Sequence, residues 1–221
     1  MIHVDIWSDI ACPWCFIGKR RFETGLRQFQ ASPAGEGVEV TYELHSFELS
    51  PDSPEDSAIS VAEYLSARKG LPRTQVEQML AHVTTLASAE GLAYDFDSVR
   101  QTRTLRAHEL LHFAKAHGRQ PEVAEAVFSA FFEKGLDVSD VDVLAGLAAQ
   151  AGLDRAEAVE SLRTGRYRAD VAEDIEQARA YGISGVPFFV IDGRYGVSGA
   201  QAPETFAAAL TRAATDRVSA P

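Results

Sequence analysis

Apolar and polar residues alternate near the start of the chain, on either side of a segment with helical spacing. Residues 3–7 alternate and predict a strand, and residues 36–47 predict a second strand. Between them, Phe22 and Phe29 lie two helical turns apart on one apolar face, which predicts a helix over residues 13–30. The start of the chain therefore predicts a β-α-β unit.

A long helical pattern begins after residues 49–56, which are rich in Pro, Ser and Asp and indicate a boundary. Apolar stripes at helical spacing follow, and Ser60 and Thr74 each begin a sequence with the pattern of a capping box. Because such stripes usually pack inward, we interpret them as the core of a helical domain. Glycines predict the ends of its helices, at Gly91, Gly118, Gly135, Gly152 and Gly165.

Strand signals return near the end of the chain. Residues 186–191 predict a buried strand, and the Asp-Gly pair at 192–193 predicts a hairpin turn. Residues 195–197 predict the return strand, and residues 203–214 predict a closing helix.

The order of these elements predicts the α/β class, with one domain interrupted by another. Residues 1–55 and 166–221 form the discontinuous domain, and residues 56–165 form an all-helical insertion. The chain has 221 residues, of which 46% are hydrophobic and 24% charged. This composition is typical of a globular protein that can bury a sizeable core.

The formal net charge of −11 changes the list of candidate partners. An acidic surface repels phosphate backbones and anionic lipid, so we expect neither nucleic acid nor a membrane as partner. The N-terminus lacks the features of a signal peptide, and no apolar run is long enough to cross a bilayer. We therefore expect a cytoplasmic protein. A homodimer through the helical domain is a candidate assembly.

Cys12 and Cys15 are the only cysteines, and Pro13 and Trp14 separate them. A disulfide between them would close almost no loop and add little stability, and no second cysteine pair completes a zinc site. A thiol pair that follows a strand and begins a helix favours redox chemistry, because a helix N-terminus stabilises an anion. We predict Cys12 as the nucleophilic thiolate and Cys15 as the resolving thiol, with Pro13 stiffening the turn between them.

Four segments of the chain resemble the DsbA-like thioredoxin-fold oxidoreductases of the FrnE type. They are residues 8–19 (Ser-Asp-Ile-Ala-Cys-Pro-Trp-Cys-Phe-Ile-Gly-Lys), 47–49, 131–140 and 182–189. The resemblance covers nearly the whole chain and implies a thioredoxin-like fold interrupted by a large helical insertion. It also implies thiol–disulfide exchange, extending to disulfide isomerisation, on a protein or small molecule that carries a disulfide or dithiol.

The resemblance further implies a cis peptide bond between Val186 and Pro187, beside the dithiol. In that role, backbone groups of Val186 bind an extended substrate. Spacing alone leaves an ordinary trans proline at the start of a strand equally open. Trp14 departs from the Pro-His dipeptide of periplasmic DsbA, in which an imidazolium stabilises the thiolate. We therefore expect Pro13 and Trp14 to tune the dithiol to a reduction potential below the roughly −120 mV of DsbA.

Two other functions stay open for this sequence. Kappa-type glutathione transferases and chromene-carboxylate isomerases are similar in fold, but they carry a serine or a single activated group where Cys12 stands. A non-catalytic partner module of a biosynthetic pathway is the third interpretation. We expect no cofactor, with glutathione as a candidate redox partner.

Residues 108–112, His-Glu-Leu-Leu-His, match the pattern of a zinc-peptidase helix. Lys115 and Gly118 occupy the positions where an extended motif of that class has a glycine and a third histidine. We therefore interpret both histidines as packing residues and predict no metal site. Glu43, on the second predicted strand, is a candidate proton acceptor beneath the dithiol.

Overall fold

The computed structural model describes residues 1–54 and 59–218. The predicted boundary between residues 55 and 56 and the last residues of the chain lie outside the described residues, so the domain limits stay a prediction. The elements in chain order are β1 (Ile2–Ser8), α1 (Pro13–Gln30), β2 (Val40–Ser46), α2 (Val61–Lys69), α3 (Arg73–Ala89), α4 (Leu105–Ala116), α5 (Gln120–Phe132), α6 (Val141–Gln150), α7 (Arg155–Thr164), α8 (Arg168–Ala180), β3 (Phe188–Ile191), β4 (Tyr195–Ser198) and α9 (Pro203–Val218).

The strands of the described residues form one sheet in the order β2-β1-β3-β4. β2 runs parallel to β1, as the predicted β-α-β unit requires, whereas β3 is antiparallel to both β1 and β4. Helices α2–α7 lie in sequence between the parallel pair and the C-terminal hairpin. The predicted α/β class, a thioredoxin-like fold with a large helical insertion, is thereby confirmed.

An apolar cluster, which we call the sheet core, fills the face of the sheet beneath α1 and α9. Three aromatic rings lie at its centre: the ring centroid of Phe22 in α1 is 5.7 Å from that of Phe206 in α9 and 5.5 Å from that of Phe189 in β3. Period-two alternation of β1 turns its apolar side chains to this face. The buried members of the sheet core are Ile2, Val4, Ile6, Phe22, Phe29, Phe189, Ile191, Val197, Phe206, Leu210, Ala213 and Ala214.

The first turns of α1 leave the sheet core and pack into the helical insertion. Phe16 stacks on Phe128 of α5, with ring centroids 5.0 Å apart. Cys12 and Cys15 belong to the same buried cluster, together with side chains from α4, α5 and α6. Helix α1 is therefore shared between two cores, and its dithiol end faces the insertion.

Polar contacts join the insertion to the thioredoxin-like elements, and we call this set the seam. The Gln120 amide of α5 brackets Leu44 of β2, accepting from its N–H at 2.9 Å and donating to its carbonyl at 2.8 Å. The buried Lys19 of α1 donates to Glu125 of α5 at 2.8 Å. The other members of the seam are the contacts of Asp9 with Thr104 and His108, of Ser46 and Asp174 with His112, and of Pro13 with Tyr94.

The predicted elements are present, but several of their bounds differ: β2 begins at Val40 rather than residue 36, β3 begins at Phe188 rather than residue 186, and α9 continues to Val218. Helix α1 covers the predicted residues 13–30, and the capping box of Ser60 is present. The capping box at Thr74 is wrong, because the extended backbone of Pro72 already takes the N-cap position and the helix begins at Arg73. Each predicted glycine lies within three residues of a helix end. Among the described residues, no helix combines the length and apolar character needed to cross a membrane.

Candidate active site

The dithiol lies where the loop after β1 enters α1. Cys12 takes the N-cap position with extended backbone (φ −92°, ψ 110°), and Pro13 follows as the first helical residue. Proline suits that position because the first turn has no use for its missing N–H. Cys15 comes next in the turn and donates its N–H to the Cys12 carbonyl at 3.0 Å. Cys12 therefore lies at the end of the helix where the first N–H groups lack intrahelical partners and the dipole is positive, an environment that favours anions.

Asp9 fixes the loop that carries Cys12. Its carboxylate is 1% exposed and accepts hydrogen bonds from the N–H groups of Ala11 at 3.2 Å and Leu49 at 2.7 Å. The Thr104 hydroxyl of the insertion donates to the same carboxylate at 2.8 Å. The Asp9 carbonyl accepts from the N–H of Cys12 at 3.0 Å. These donors replace the hydration that the buried charge loses, so the loop is held in one conformation.

The loop of Val186 and Pro187 faces Cys12 across the site. Its peptide bond is cis, as the resemblance implied. The Cys12 Sγ donates a hydrogen bond to the Val186 carbonyl at 3.6 Å. Gly18 of α1 allows the loop to approach, since a Cβ atom there would lie 2.9 Å from Pro187 Cγ. The fold therefore brings the dithiol and the Val186–Pro187 loop together, although Cys12 and Val186 are 174 residues apart in the sequence.

The two thiols are both buried, but they differ in their surroundings. Cys12 is 4% exposed and Cys15 is 2% exposed. Burial raises the pKa of Cys15 well above its ordinary value; the neighbouring Cys12 adds to the rise, and a hydrogen bond with Ser8 opposes it. Burial therefore disfavours the thiolate form of Cys15. Trp14 projects outward between them and is 36% exposed. The tuning role predicted for Pro13 and Trp14 stays a prediction.

Sequence reasoning missed three residues that shape the site: Asp9, Gly18 and Tyr94. Asp9 and Gly18 lie within residues 8–19, but nothing in the local pattern separates a buried carboxylate from an ordinary loop aspartate. The Tyr94 hydroxyl donates to the Pro13 carbonyl at 2.7 Å, across 81 residues of sequence. Its only local signal is the nearby aromatic Phe96, which indicates burial but not a partner.

The two histidines of the sequence that resembles a zinc-peptidase helix make polar contacts of the seam. His108 Nε2 lies 3.4 Å from a carboxylate oxygen of Asp9, and His112 Nε2 lies 3.0 Å from one of Asp174. The two imidazoles therefore contact different acids and attach α4 to the thioredoxin-like elements. Between them, Glu109 is fully buried, and burial raises its pKa. No set of three or more His, Cys, Asp or Glu within residues 1–54 and 59–218 is arranged to hold a metal ion.

Glu43, the candidate proton acceptor, does not lie beneath the dithiol. The alternation of β2 puts Glu43 and His45 on the face that meets α8, whereas α1 covers the opposite face. Glu43 forms an ion pair with Lys115 of α4. The buried carboxylate closest in sequence to the dithiol is instead Asp9, whose oxygens are already hydrogen-bonded.

A charged pair of His45 and Asp174 ties β2 to α8. His45 Nδ1 lies 2.7 Å from Asp174 Oδ1, and its Nε2 lies 2.9 Å from Asp5 Oδ1. Burial alone would lower the pKa of His45, but these hydrogen bonds outweigh it and raise the pKa from 6.5 to about 9. Burial would raise the pKa of Asp174, but hydrogen bonds with His112 and His45 hold it well below its ordinary value. Both partners are therefore charged near neutral pH.

Comparisons with known proteins agree with this geometry. The description "DSBA-like thioredoxin domain" matches residues 3–211. An uncharacterized protein of Bacillus subtilis, YwbO, is 31% identical over 212 residues, which cover 95% of this chain and 96% of that protein. The structure of a probable DsbA oxidoreductase from Streptomyces coelicolor has 40% identity and a TM-score of 0.90, covering 100% of this chain and 92% of that one.

A more distant likeness extends to the cytosolic disulfide reductase DsbM from Pseudomonas aeruginosa. Its TM-score is 0.67 at 20% identity, covering 98% of this chain and 99% of that one, so the likeness is one of fold. The family match spans nearly the whole sequence and includes both cysteines and the cis-proline loop. The chain therefore belongs to the family of DSBA-like thioredoxin domains.

Proposed function

We propose that this protein is a thiol–disulfide oxidoreductase with Cys12 as nucleophile and Cys15 as resolving thiol. The Cys12 thiolate attacks one sulfur of a substrate disulfide, forms a mixed disulfide and releases the other sulfur as a thiolate. Cys15 then loses its proton and attacks the Cys12 sulfur, which frees the second substrate thiolate. The substrate gains two electrons and two protons, and the Cys12–Cys15 disulfide forms. The reverse sequence oxidises a substrate dithiol.

The position of Cys12 is the observation that carries this proposal. Its sulfur lies at the N-terminus of α1, next to Cys15 on one side and 3.6 Å from the Val186 carbonyl on the other. The helix N-terminus favours the thiolate that begins exchange, and the contact with Val186 brings the sulfur against backbone that can pair with an extended chain. Val186 and Pro187 are accordingly the substrate-binding residues of the proposal.

The intact pair of thiols favours disulfide exchange over glutathione-linked transfer or isomerisation. A transferase needs one activated group, whereas a resolving thiol at Cys15 would divert a mixed disulfide into the protein disulfide. Membership of the DSBA-like family supports the same choice. Disulfide isomerisation, glutathione as the redox partner, a cytoplasmic location and a homodimer stay predictions from the sequence.

Two assays on one preparation test the proposal. We expect the protein to reduce insulin disulfides with a dithiol donor and to exchange with glutathione disulfide, while conjugation of glutathione to a chlorodinitrobenzene-type acceptor stays at the uncatalysed rate. Cys12→Ser should abolish both exchange reactions. Conjugation that survives Cys12→Ser, in a protein without exchange activity, would contradict the proposal and support the transferase alternative.

A further inference from the structure

Tyr94 of the helical insertion is held rigidly beside the dithiol. It lies in the loop between α3 and α4 and is 7% exposed. Its ring stacks on Phe132 of α5, with centroids 4.7 Å apart, and meets Phe96 edge-on at 5.6 Å. On the other side it lies 6.2 Å from the ring of Phe16 in α1. Aromatic rings pack on these sides of Tyr94, and its hydroxyl group points toward the start of α1.

The acceptor that this hydroxyl meets is the carbonyl of Pro13, at 2.7 Å. That carbonyl belongs to the peptide group whose N–H is carried by Trp14. Burial raises the pKa of Tyr94 well above its ordinary value, and the nearby charges of Cys12 and Cys15 add to the rise. The hydroxyl therefore keeps its proton and acts as a donor over the whole pH range in which the dithiol works.

The N–H of Trp14 is the first-turn donor left for the Cys12 sulfur once that sulfur is a thiolate. As a thiol, Cys12 makes no side-chain cap hydrogen bond and donates to the Val186 carbonyl instead. Cys12 is the N-cap residue of α1, and an N-cap side chain accepts from the N–H of the second or third helical residue. Cys15, the third, donates its N–H to the Cys12 carbonyl, which leaves Trp14, the second. A donor on the carbonyl of a peptide group polarises it and makes its N–H a stronger donor, since linked hydrogen bonds reinforce one another.

We propose that Tyr94 is a positioning residue of the dithiol, which stabilises the Cys12 thiolate through the Pro13–Trp14 peptide group. This role for Tyr94 rests on the proposed function, because a stabilised Cys12 thiolate matters only if Cys12 is the nucleophile of disulfide exchange. It assigns to the insertion a direct electronic effect on the redox centre, in addition to forming a wall of the site. Stabilising the thiolate stabilises the reduced protein, so the contact raises the reduction potential.

Tyr94→Phe removes the hydroxyl and keeps the stacked ring. In a Cys15→Ser background, where Cys12 is the only thiol, we expect the ultraviolet titration of the thiolate to move to higher pH. The expected change is a fall in the acid dissociation constant of about 1.3-fold to 4.5-fold, as a 10–30% weakening of one charge-assisted hydrogen bond would give. With both cysteines present, the equilibrium constant for oxidation by glutathione disulfide should rise by up to the same factor.

Tyr64→Phe is the matched control. Tyr64 of α2 also donates its hydroxyl at 2.7 Å, but the acceptor is Ser50, outside the dithiol loop. We expect its titration and its redox equilibrium to match those of the unaltered protein. A shift of equal size in both variants would overturn the inference, because it would trace the effect to a general loosening of the insertion.

Replacement of Tyr94 by a fluorinated tyrosine should shift the titration of the Cys12 thiolate in the opposite direction. The ring and hydroxyl remain and the hydroxyl is a stronger donor, so the thiolate titration should move to lower pH. This variant carries the test if Tyr94→Phe fails to fold. Unchanged titrations, or changes in the same direction for both variants, would overturn the inference. The titration needs only the Cys12 thiol and does not depend on exchange activity. A protein without exchange activity would therefore contradict the proposed function, whereas the titration would still test the role of Tyr94.

Discussion

The sheet core and the seam hold the molecule together by different means. The sheet core is built from apolar side chains, with the rings of Phe22, Phe189 and Phe206 in mutual contact. The seam is built from directional polar contacts, such as the bracket of Gln120 on Leu44. Apolar burial is non-directional and proportional to area, whereas each polar contact fixes one atom relative to another.

The dithiol lies on the seam side of this division. Cys12 and Cys15 pack in the cluster that the insertion shares with α1, and contacts of the seam hold Asp9 and Pro13 on either side of Cys12. We infer that the two apolar clusters supply most of the stability of the protein, whereas the seam sets the geometry and electrostatics of the redox centre. Changes in the two regions should therefore separate loss of folding from loss of exchange.

Truncation in the sheet core should have the largest effect on stability. Phe22→Ala removes a fully buried ring, and we expect the free energy of unfolding to fall by about 3–5 kcal/mol. The rate of disulfide exchange per folded molecule should stay the same, because Phe22 belongs to a different apolar cluster from the two cysteines. Urea unfolding followed by exchange assays on the folded fraction measures both; a parallel loss of exchange would contradict the division.

The charged pair of His45 and Asp174 should make stability fall as pH rises. The pKa of His45 is raised from 6.5 to about 9 in the folded protein, so its contribution is complete below pH 6.5 and is lost as pH rises through 9. We expect a loss of about 3 kcal/mol across this window, which follows from the size of that change. Urea unfolding at both ends of the window measures it.

His45→Gln should remove that pH dependence and lower stability at pH 6.5. The charged groups that face His45 are Asp5 of β1, Glu43 of β2 and Asp174 of α8, and each would lose its contact with the imidazolium. His82→Gln, at an exposed position of α3, is the control and should keep the slope of the unaltered protein. Equal slopes in His45→Gln and His82→Gln would show that the pair does not supply the effect.

Two glycines of α1 offer a matched test of the division. A Cβ atom at Gly25 would lie 2.4 Å from the backbone oxygen of Pro203 in α9, so Gly25→Ala should lower the free energy of unfolding by about 1–3 kcal/mol. A Cβ atom at Gly18 would meet Pro187 Cγ at 2.9 Å instead. Because this contact is to a ring edge, and alanine favours the helix by about 1 kcal/mol, Gly18→Ala should change stability little.

Gly18→Ala should instead slow disulfide exchange by about tenfold to a hundredfold, since it shifts the Val186–Pro187 loop relative to Cys12. Gly25→Ala should leave the exchange rate per folded molecule unchanged. Gly25→Ala should therefore change the result of the unfolding assay alone, and Gly18→Ala should change the rate of disulfide exchange alone. If Gly25→Ala slowed exchange as much as Gly18→Ala, the two ends of α1 would not be separable.

A further effect is expected at Trp14, which tests the tuning predicted from the sequence. Trp14→His places an imidazolium beside the thiolate, and we expect the reduction potential to rise by about 30 mV, a tenfold change in the equilibrium constant with glutathione. Trp14→Phe keeps an aromatic ring without the charge and should leave the potential where it was. Equal potentials for the two variants would mean that position 14 does not tune the dithiol.

Much of the fold follows from local patterns, and much of the site does not. The spacing of Phe22 and Phe29 predicts α1 to its terminal residues, and the cysteine pair locates the dithiol, because both signals lie within one element. Asp9, Gly18 and Tyr94 act through partners that only the folded chain brings near, so their local sequence has no distinguishing pattern. Glu43 was misplaced beneath the dithiol because sequence alone does not show which face of β2 meets α1.

The most direct test of the central claim compares the two thiols one at a time. Cys15→Ser leaves Cys12 as the only thiol, and Cys12→Ser leaves Cys15, whose pKa burial raises. We predict that Cys12 alone forms a mixed disulfide with glutathione disulfide at least about ten times faster than Cys15 alone, because burial disfavours the Cys15 thiolate. An equal or faster reaction of Cys15 would contradict the assignment of Cys12 as the nucleophile.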